Sequence, residues 1–236
     1  MQSTLDARLA SAAGYVRQGA VFADIGTDHA YLPIYLLQNG KISSAIAADI
    51  AKGPLSKAME NAKDFGLQDK ISFFLTDGLS GLSSLSVTDI AICGMGGEMI
   101  ASIIENAPFV KDKSIRLILQ PMSKSEILRG YLFENGFCIL EEKLCSVGSH
   151  TYSCICAEYD EKKREPSLFS LYVGKPKIEN EEDARNFLRL LSKKEKALQK
   201  RMSGLLTANK DAEKEKELLL EISKEKEKIY ESFRII

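Results

Sequence analysis

The chain has 236 residues, 44% hydrophobic and 28% charged, with a formal net charge of −1. That length holds one full domain plus an appendage or two small domains, and the composition is that of an ordinary globular protein, so disorder is not the default. The near-neutral balance excludes whole-molecule attraction to nucleic acid, so any such partner must be met by a local basic patch.

No apolar run approaches a membrane span, and the opening Met1–Arg8 lacks the apolar core of a signal peptide. The 5 cysteines include no Cys-x-x-Cys pair. A reduced, cytoplasmic protein without a metal centre is therefore expected. Cys154 and Cys156 alternate along an apparent strand and are expected to share a core face.

In chain order, residues 3–16 read as a short amphipathic helix with Leu5, Leu9, Ala12, Ala13 and Val16 on one side. Apolar strand-like runs follow at 21–26, 44–50, 71–76, 89–93 and 115–119. Helix-like stretches separate them at 31–39, 54–65, 97–106 and 124–135. This alternation predicts an α/β fold, a Rossmann-like sheet with helices on both faces. Pro33 falls in the first turn of its helix, where a missing N–H costs little. After Gly136, residues 137–147 and 151–159 read as a closing strand pair, an antiparallel edge on a parallel sheet.

Composition shifts over Asp160–Pro166, dividing the chain into a first domain, 1–160, and a second, 161–236. Residues 167–180 carry no clear period; Gly174 and Pro176 argue for a turn there. From Glu181 the chain becomes helical and highly charged. Leu188, Leu191, Leu198 and Leu205 mark one apolar seam, and Leu219, Ile222, Ile229, Phe233 and Ile236 another. With Thr207–Asp211 between them, a coiled-coil-like hairpin of two antiparallel helices is expected.

The chemistry gathers where the strands end. Asp24 and Gly26 close the first run, Asp49 the second and Asp77-Gly78 the third, which brings three carboxylates to one edge of one sheet. A nicotinamide dinucleotide needs glycines against its pyrophosphate, but the turn here reads Thr27-Asp28-His29-Ala30, and the phosphate-loop pattern is absent. S-adenosylmethionine carries an ammonium, a sulfonium, a ribose diol and an adenine amino group but no phosphate, and it suits the acids best. Asp24 is placed for the ammonium, Asp49 for the ribose hydroxyls and Asp77 for the adenine amino group, with helix-opening N–H groups near Tyr31 for the carboxylate. Any one of these acids alone reads more readily as a helix cap or turn former; it is the three in register that point to a ligand.

The fourth run ends in Cys93-Gly94-Met95-Gly96-Gly97, whose glycines permit close backbone approach to a flat base or to the methionyl end of the cofactor. A simple glycine-rich turn into a helix explains them as well. Gln120 follows the fifth run and has two readings, contact with a base edge or satisfaction of the strand-end backbone. Cys93 lacks a partner His and reads as a buried thiol, while His150 falls at a hairpin tip.

These residues resemble class I S-adenosylmethionine-dependent methyltransferases. More narrowly, they are similar to the bacterial tRNA adenine-N1 methyltransferases that modify adenine 22, the TrmK family. The resemblance rests on Arg8-Leu9, the string Asp24-Ile25-Gly26-Thr27-Asp28-His29-Ala30-Tyr31-Leu32-Pro33, Asp77-Gly78-Leu79, Gly94-Met95-Gly96-Gly97 and Leu119-Gln120-Pro121. It implies methyl transfer from S-adenosylmethionine to N1 of an adenine in tRNA. The implied cofactor contacts come from Asp24, Gly26, Thr27, Asp28, His29, Asp49, Asp77, Gly78, Gly94, Met95 and Gly96. It also implies a helical, coiled-coil-like C-terminal domain.

Asp28 and Ala30 stand where methyltransferases in general have their second and third glycines. Gly94-Met95-Gly96-Gly97 replaces the Asn/Asp-Pro-Pro-aromatic motif of enzymes that methylate exocyclic amines. Adenine N1 already presents an in-plane lone pair, so alignment matters more than deprotonation. Asp28, His29 and Gln120 are the candidates for steering the base. Arg8, Lys193, Lys194, Lys196, Lys200 and Arg201 are the candidates for phosphate contact, although interleaved Lys and Glu on a helix also describe plain solvated surface. The expected partner is tRNA rather than DNA, a membrane or a metal, and the chain a monomer or weak dimer. A small-molecule methyltransferase and a non-catalytic cofactor- or RNA-binding module are the alternatives.

Overall fold

The structure, a computed structural model, describes residues 4–234. Its strands are β1 (Phe22–Ile25), β2 (Ala45–Asp49), β3 (Ile71–Leu75), β4 (Asp89–Gly96), β5 (Arg116–Ser123), β6 (Phe137–Val147) and β7 (His150–Tyr159). They form one sheet in the order β3-β2-β1-β4-β5-β7-β6. The first five are parallel, and β7 runs antiparallel between β5 and β6. From β1 the chain winds outward to β2 and β3, then returns to pair β4 on the other side of β1. That reversal opens a crevice beyond the C-terminal ends of β1 and β4, where open α/β sheets hold their ligands.

Helices cover both faces. On one lie α1 (Ala7–Tyr15), α2 (Tyr31–Gln38) and α3 (Lys52–Asp64), whose Ala12, Leu32, Leu36 and Ala58 pack against Phe22, Ala45, Ala47 and Ile118. On the other lie α4 (Gly97–Glu105) and α5 (Ser125–Glu134), whose Ile100, Ile104, Leu128 and Leu132 meet Ile90, Ile92, Leu117 and Leu119. Strands buried on both faces read as unbroken apolar runs, which explains why β1 carries no alternation. Each large side chain so buried contributes about 1.5–3 kcal/mol. Cys154 and Cys156 are both buried in the α1 side of the core.

The first helix is shorter than the expected 3–16. Asp6 fixes its start by accepting from the Arg8 and Leu9 N–H groups, both at 3.0 Å. Ser3 lies outside the described residues.

Past Tyr159 the structure adds α6 (Leu168–Tyr172), α7 (Glu181–Thr207) and α8 (Glu213–Phe233). Helix α6 occupies the segment without a period and is capped by Ser167, whose Oγ accepts from Ser170 N at 3.1 Å. Asn180 caps α7 in the same way, at 2.9 Å from Asp183 N. The two long helices stand where the sequence places them, but their seam differs from the expected one. Leu218 rather than Leu219 is deeply buried, Leu205 is only half-buried, and Ile236 lies outside the described residues. The start of α7 packs on the sheet as well as within the hairpin: Phe187 and Leu191 share their cluster with Leu144 of β6 and Val173 as well as with Leu218 and Ile222 of α8.

A buried ion pair reinforces that junction. Arg129 of α5 and Glu142 of β6, 1% and 2% exposed, meet at 2.5 Å. Arg129 also donates to Leu171 O at 2.9 Å and Ser153 Oγ at 3.2 Å. Gly174 is required beside it, since a Cβ there would lie 2.5 Å from Glu142 Oε2.

Candidate active site

A cleft of about 1050 Å³ opens along the C-terminal ends of β3, β2, β1 and β4. Its floor is the β1–α2 turn, which the Gly26 and Thr27 N–H groups pin to β2 by donating to Ala48 O at 2.9 and 3.0 Å. Gly26 has φ +69°, and a Cβ there would sit 2.1 Å from the Met95 methyl carbon. Asp28 and Ala30, which take the places of two glycines, nonetheless adopt left-handed backbone at φ 52° and 56°. Such residues cost on the order of 1–3 kcal/mol each and persist only where the surroundings enforce them.

The three strand-end acids all line this cleft. Asp24 is 5% exposed and accepts from Thr27 Oγ1 at 2.7 Å. Burial, aided by the neighbouring Asp49 charge and opposed by the Thr27 hydrogen bond, pushes its carboxyl up to about 7. Asp49 accepts from Ala51 N at 2.9 Å and Asp28 N at 3.3 Å, which orients its carboxylate at the mouth. Asp77 is exposed at the far end, in a turn held by Thr76 Oγ1 donating to Ser80 O at 2.9 Å. Gly78 beside it has φ +56°.

Among the described lining residues, Asp24, Asp28, Asp49 and Asp77 face a single Arg or Lys, Arg8. That balance fits a cationic ligand without phosphates. The buried Asp24, whose one side-chain donor is a hydroxyl, fits the ammonium of S-adenosylmethionine.

The β4 end supplies Cys93, Gly94 and Met95 to the lining, whereas Gly96 caps α4 and stands outside it. The β4–β5 register breaks between Cys93 and Met95, and Gly94 takes φ +79°. Burial pushes the Cys93 thiol well up, which removes it as a nucleophile.

His29 Nε2 lies 3.6 Å from Asp28 Oδ1, and its ring centre is 5.3 Å from that of Tyr31. Its Nδ1 is buried without a hydrogen-bond partner.

Gln120 is the main displacement among the candidates for steering the base. It is fully buried and outside the lining. Its Oε1 accepts from Gly94 N at 3.2 Å and its Nε2 donates to Pro121 O at 3.1 Å. The amide is spent on backbone, so any influence on a substrate passes through the Gly94 turn.

Sequence reasoning missed the α4 face that closes the cleft, Met99, Ser102, Ile103 and Asn106. Their i, i+3, i+4, i+7 spacing was the available signal. It also missed Asn61, whose Nδ2 donates to His29 O at 2.9 Å and steadies the turn from α3.

The expected basic patch is smaller than the sequence suggests. Lys194 is turned inward, paired with Glu126 at 3.1 Å and set 4.1 Å from the centre of the Tyr172 ring. Its burial outweighs Glu126 and lowers its pKa. Arg201 pairs with Glu215 at 2.8 Å. Lys193, Lys196 and Lys200 are exposed, with no ion pair among the described residues. Within the same residues no group of three or more His, Cys, Asp or Glu could hold a metal ion. Among the described residues no helix is long and apolar enough to cross a membrane.

The methyltransferase-domain family matches residues 5–155. The chain is 36% identical to the tRNA (adenine(22)-N(1))-methyltransferase of Bacillus subtilis over 170 residues, 72% of this chain and 71% of that one. A crystal structure of a Streptococcus pneumoniae protein in complex with S-adenosyl-L-methionine superposes with a TM-score of 0.78 at 30% identity, covering 92% of this chain and 100% of the other. The B. subtilis M1A22 tRNA methyltransferase TrmK gives a TM-score of 0.75 at 31% identity, covering 98% and 99%.

Proposed function

The chain belongs to the tRNA (adenine(22)-N(1))-methyltransferase family, and from that premise we propose that it methylates N1 of adenine 22 in tRNA with S-adenosylmethionine as donor. The observation that carries the reading is the acidic strand-end edge with its buried, cation-seeking Asp24. When bound, the cofactor supplies an electrophilic methyl group on a sulfonium that leaves as a neutral thioether.

The residues divide the remaining work. Asp24 takes the ammonium, Asp49 the ribose diol and Asp77 the adenine amino group. Each carboxylate hydrogen bond to a charged donor contributes on the order of 1.5–3 kcal/mol. The Gly26 turn and the Gly94 turn allow close backbone approach on either side, and Gln120 holds the latter as a positioning residue. The adenine N1 lone pair lies in the ring plane, so no proton has to leave before attack. Positive charge passes from the cofactor to the base, and Asp28, with His29 beside it, offers that charge a carboxylate at the cleft mouth. Catalysis then rests mainly on alignment.

Residues 1–160 act as the methyl-transfer unit and 161–236 as a tRNA-holding unit, in which exposed Lys193, Lys196 and Lys200 meet phosphates. The exposed lysines of α7 favour this over a small-molecule acceptor, for which the tail would serve only as a lid or a dimer contact. The protein acts in the cytoplasm, where tRNA is, as a monomer or weak dimer. The test is transfer of labelled methyl groups to unmodified bacterial tRNA followed by digestion to nucleosides. Label in 1-methyladenosine is expected; label in another nucleoside, or transfer to small molecules only, refutes the assignment.

A further inference from the structure

Beyond the cofactor cleft the same sheet edge continues across β5 to β7. The β5–β7 pairing ends at Leu119–Ile155, while β7 begins at His150, opposite Val147 of β6, so the start of β7 projects on the cleft side beyond its last pairing with β5. Two strand spacings, about 10 Å, separate β4 from β7.

On that projection the His150 and Tyr152 rings stack with centres 6.2 Å apart and planes at 19°. His150 is exposed and Tyr152 half-buried. The Arg8 guanidinium lies 5.7 Å from the Tyr152 ring centre and also lines the cleft, so it borders both features. Asp6 holds it by Nε at 3.1 Å and Nη2 at 2.5 Å. Its Nη1 faces the Met122 sulfur at 3.1 Å, a weak acceptor. The result is an oriented guanidinium with unspent donors beside the Tyr152 ring, with the His150 ring next to it.

Building on the reading that the substrate is RNA, we infer that Tyr152, His150 and Arg8 form a subsite for an unstacked nucleobase adjoining the target adenine. The base stacks on Tyr152 and His150, and Arg8 Nη1 takes an oxygen of that nucleotide. The chemistry calls for such a site. N1 lies on the Watson–Crick edge, so exposing it breaks stacking at a cost of a few kcal/mol. Aromatic platforms return about 1–3 kcal/mol per base without regard to sequence. The acidic cofactor cleft cannot return it, because it repels phosphates.

The test uses the full chain and tRNA transcripts carrying 2-aminopurine at each nucleotide adjoining the target adenine. With the unaltered protein, fluorescence quenching is expected at one of these positions. Tyr152→Phe should preserve it. Tyr152→Leu, which stays apolar but offers no ring, should lose it. Its kcat/KM for tRNA should fall about 10- to 100-fold, chiefly through KM, with cofactor affinity unchanged. Arg8→Lys should weaken tRNA binding in the same direction.

Unaltered kinetics in Tyr152→Leu overturn the subsite, as does an absence of quenching at every neighbouring position with the unaltered protein. The latter decides even if Tyr152→Leu folds poorly. Failure of the unaltered protein to methylate tRNA would instead remove the functional reading on which the subsite rests.

Discussion

Asp24→Asn should make the cofactor-free protein more stable while weakening the cofactor's hold. The Asp24 carboxyl, ordinarily near 3.8, is pushed up to about 7 by burial, with Asp49 adding to the shift and Thr27 opposing it. An acid with a folded value above its unfolded one binds protons more tightly in the folded chain. Its contribution to stability therefore falls as pH rises from about 4 to about 7, and the full cost persists above that. The gap corresponds to a ceiling of about 4 kcal/mol at pH 8 and about 1.5 kcal/mol at pH 5.

Asparagine is nearly isosteric, still accepts from Thr27 and carries no charge. For a chain this long each kcal/mol moves Tm by about 2–4 °C. Thermal unfolding without cofactor should show the variant melting several degrees above the unaltered protein at pH 8, with most of that advantage gone at pH 5. Loss of a charged hydrogen bond should meanwhile weaken S-adenosylmethionine binding about 10- to 100-fold by calorimetry. A variant that melts lower at pH 8, or binds the cofactor as tightly as before, would refute the reasoning.

Gly26→Ala should cost cofactor affinity at least about 10-fold, because a backbone at φ +69° strains an L side chain and the new methyl pushes the end of the Met95 side chain aside within the cleft lining; equilibrium binding checks it. Arg129→Met leaves Glu142 charged and buried, and chemical denaturation should show a loss of about 3–5 kcal/mol, largely recovered in Arg129→Met/Glu142→Leu. Reversing Lys193, Lys196 and Lys200 to Glu should weaken tRNA binding and flatten its dependence on salt while leaving cofactor binding intact. This is a cleaner test of the tail than deleting residues 181–236, which would strip Phe187 and Leu191 from Leu144 and expose apolar surface.

The sheet and its acidic C-terminal edge were legible because both rest on short-range patterns. Apolar runs of four to eight residues ending at Asp24, Asp49 and Asp77 fix strand position and polarity together, and those acids share one cleft. What stayed hidden depends on packing across long sequence separations. Helical spacing puts Lys194, three residues after Leu191 and four before Leu198, on the buried stripe, but its partner Glu126 lies 68 residues away and has no local trace. The local pattern leaves Gln120 between a base-edge contact and the strand-end backbone, and only the fold shows its amide spent on Gly94 and Pro121. The short helix α6 has too few turns to show a period. The Arg8–Tyr152 contact joins the first helix to the last strand and has no trace in the local pattern.

The most direct test is methyl transfer to two tRNA transcripts that differ only at nucleotide 22, adenosine in one and uridine in the other, compared under saturating S-adenosylmethionine. Transfer to the first, with 1-methyladenosine at that position, and none to the second is the expected result. Equal transfer to both would contradict the assignment of the acceptor.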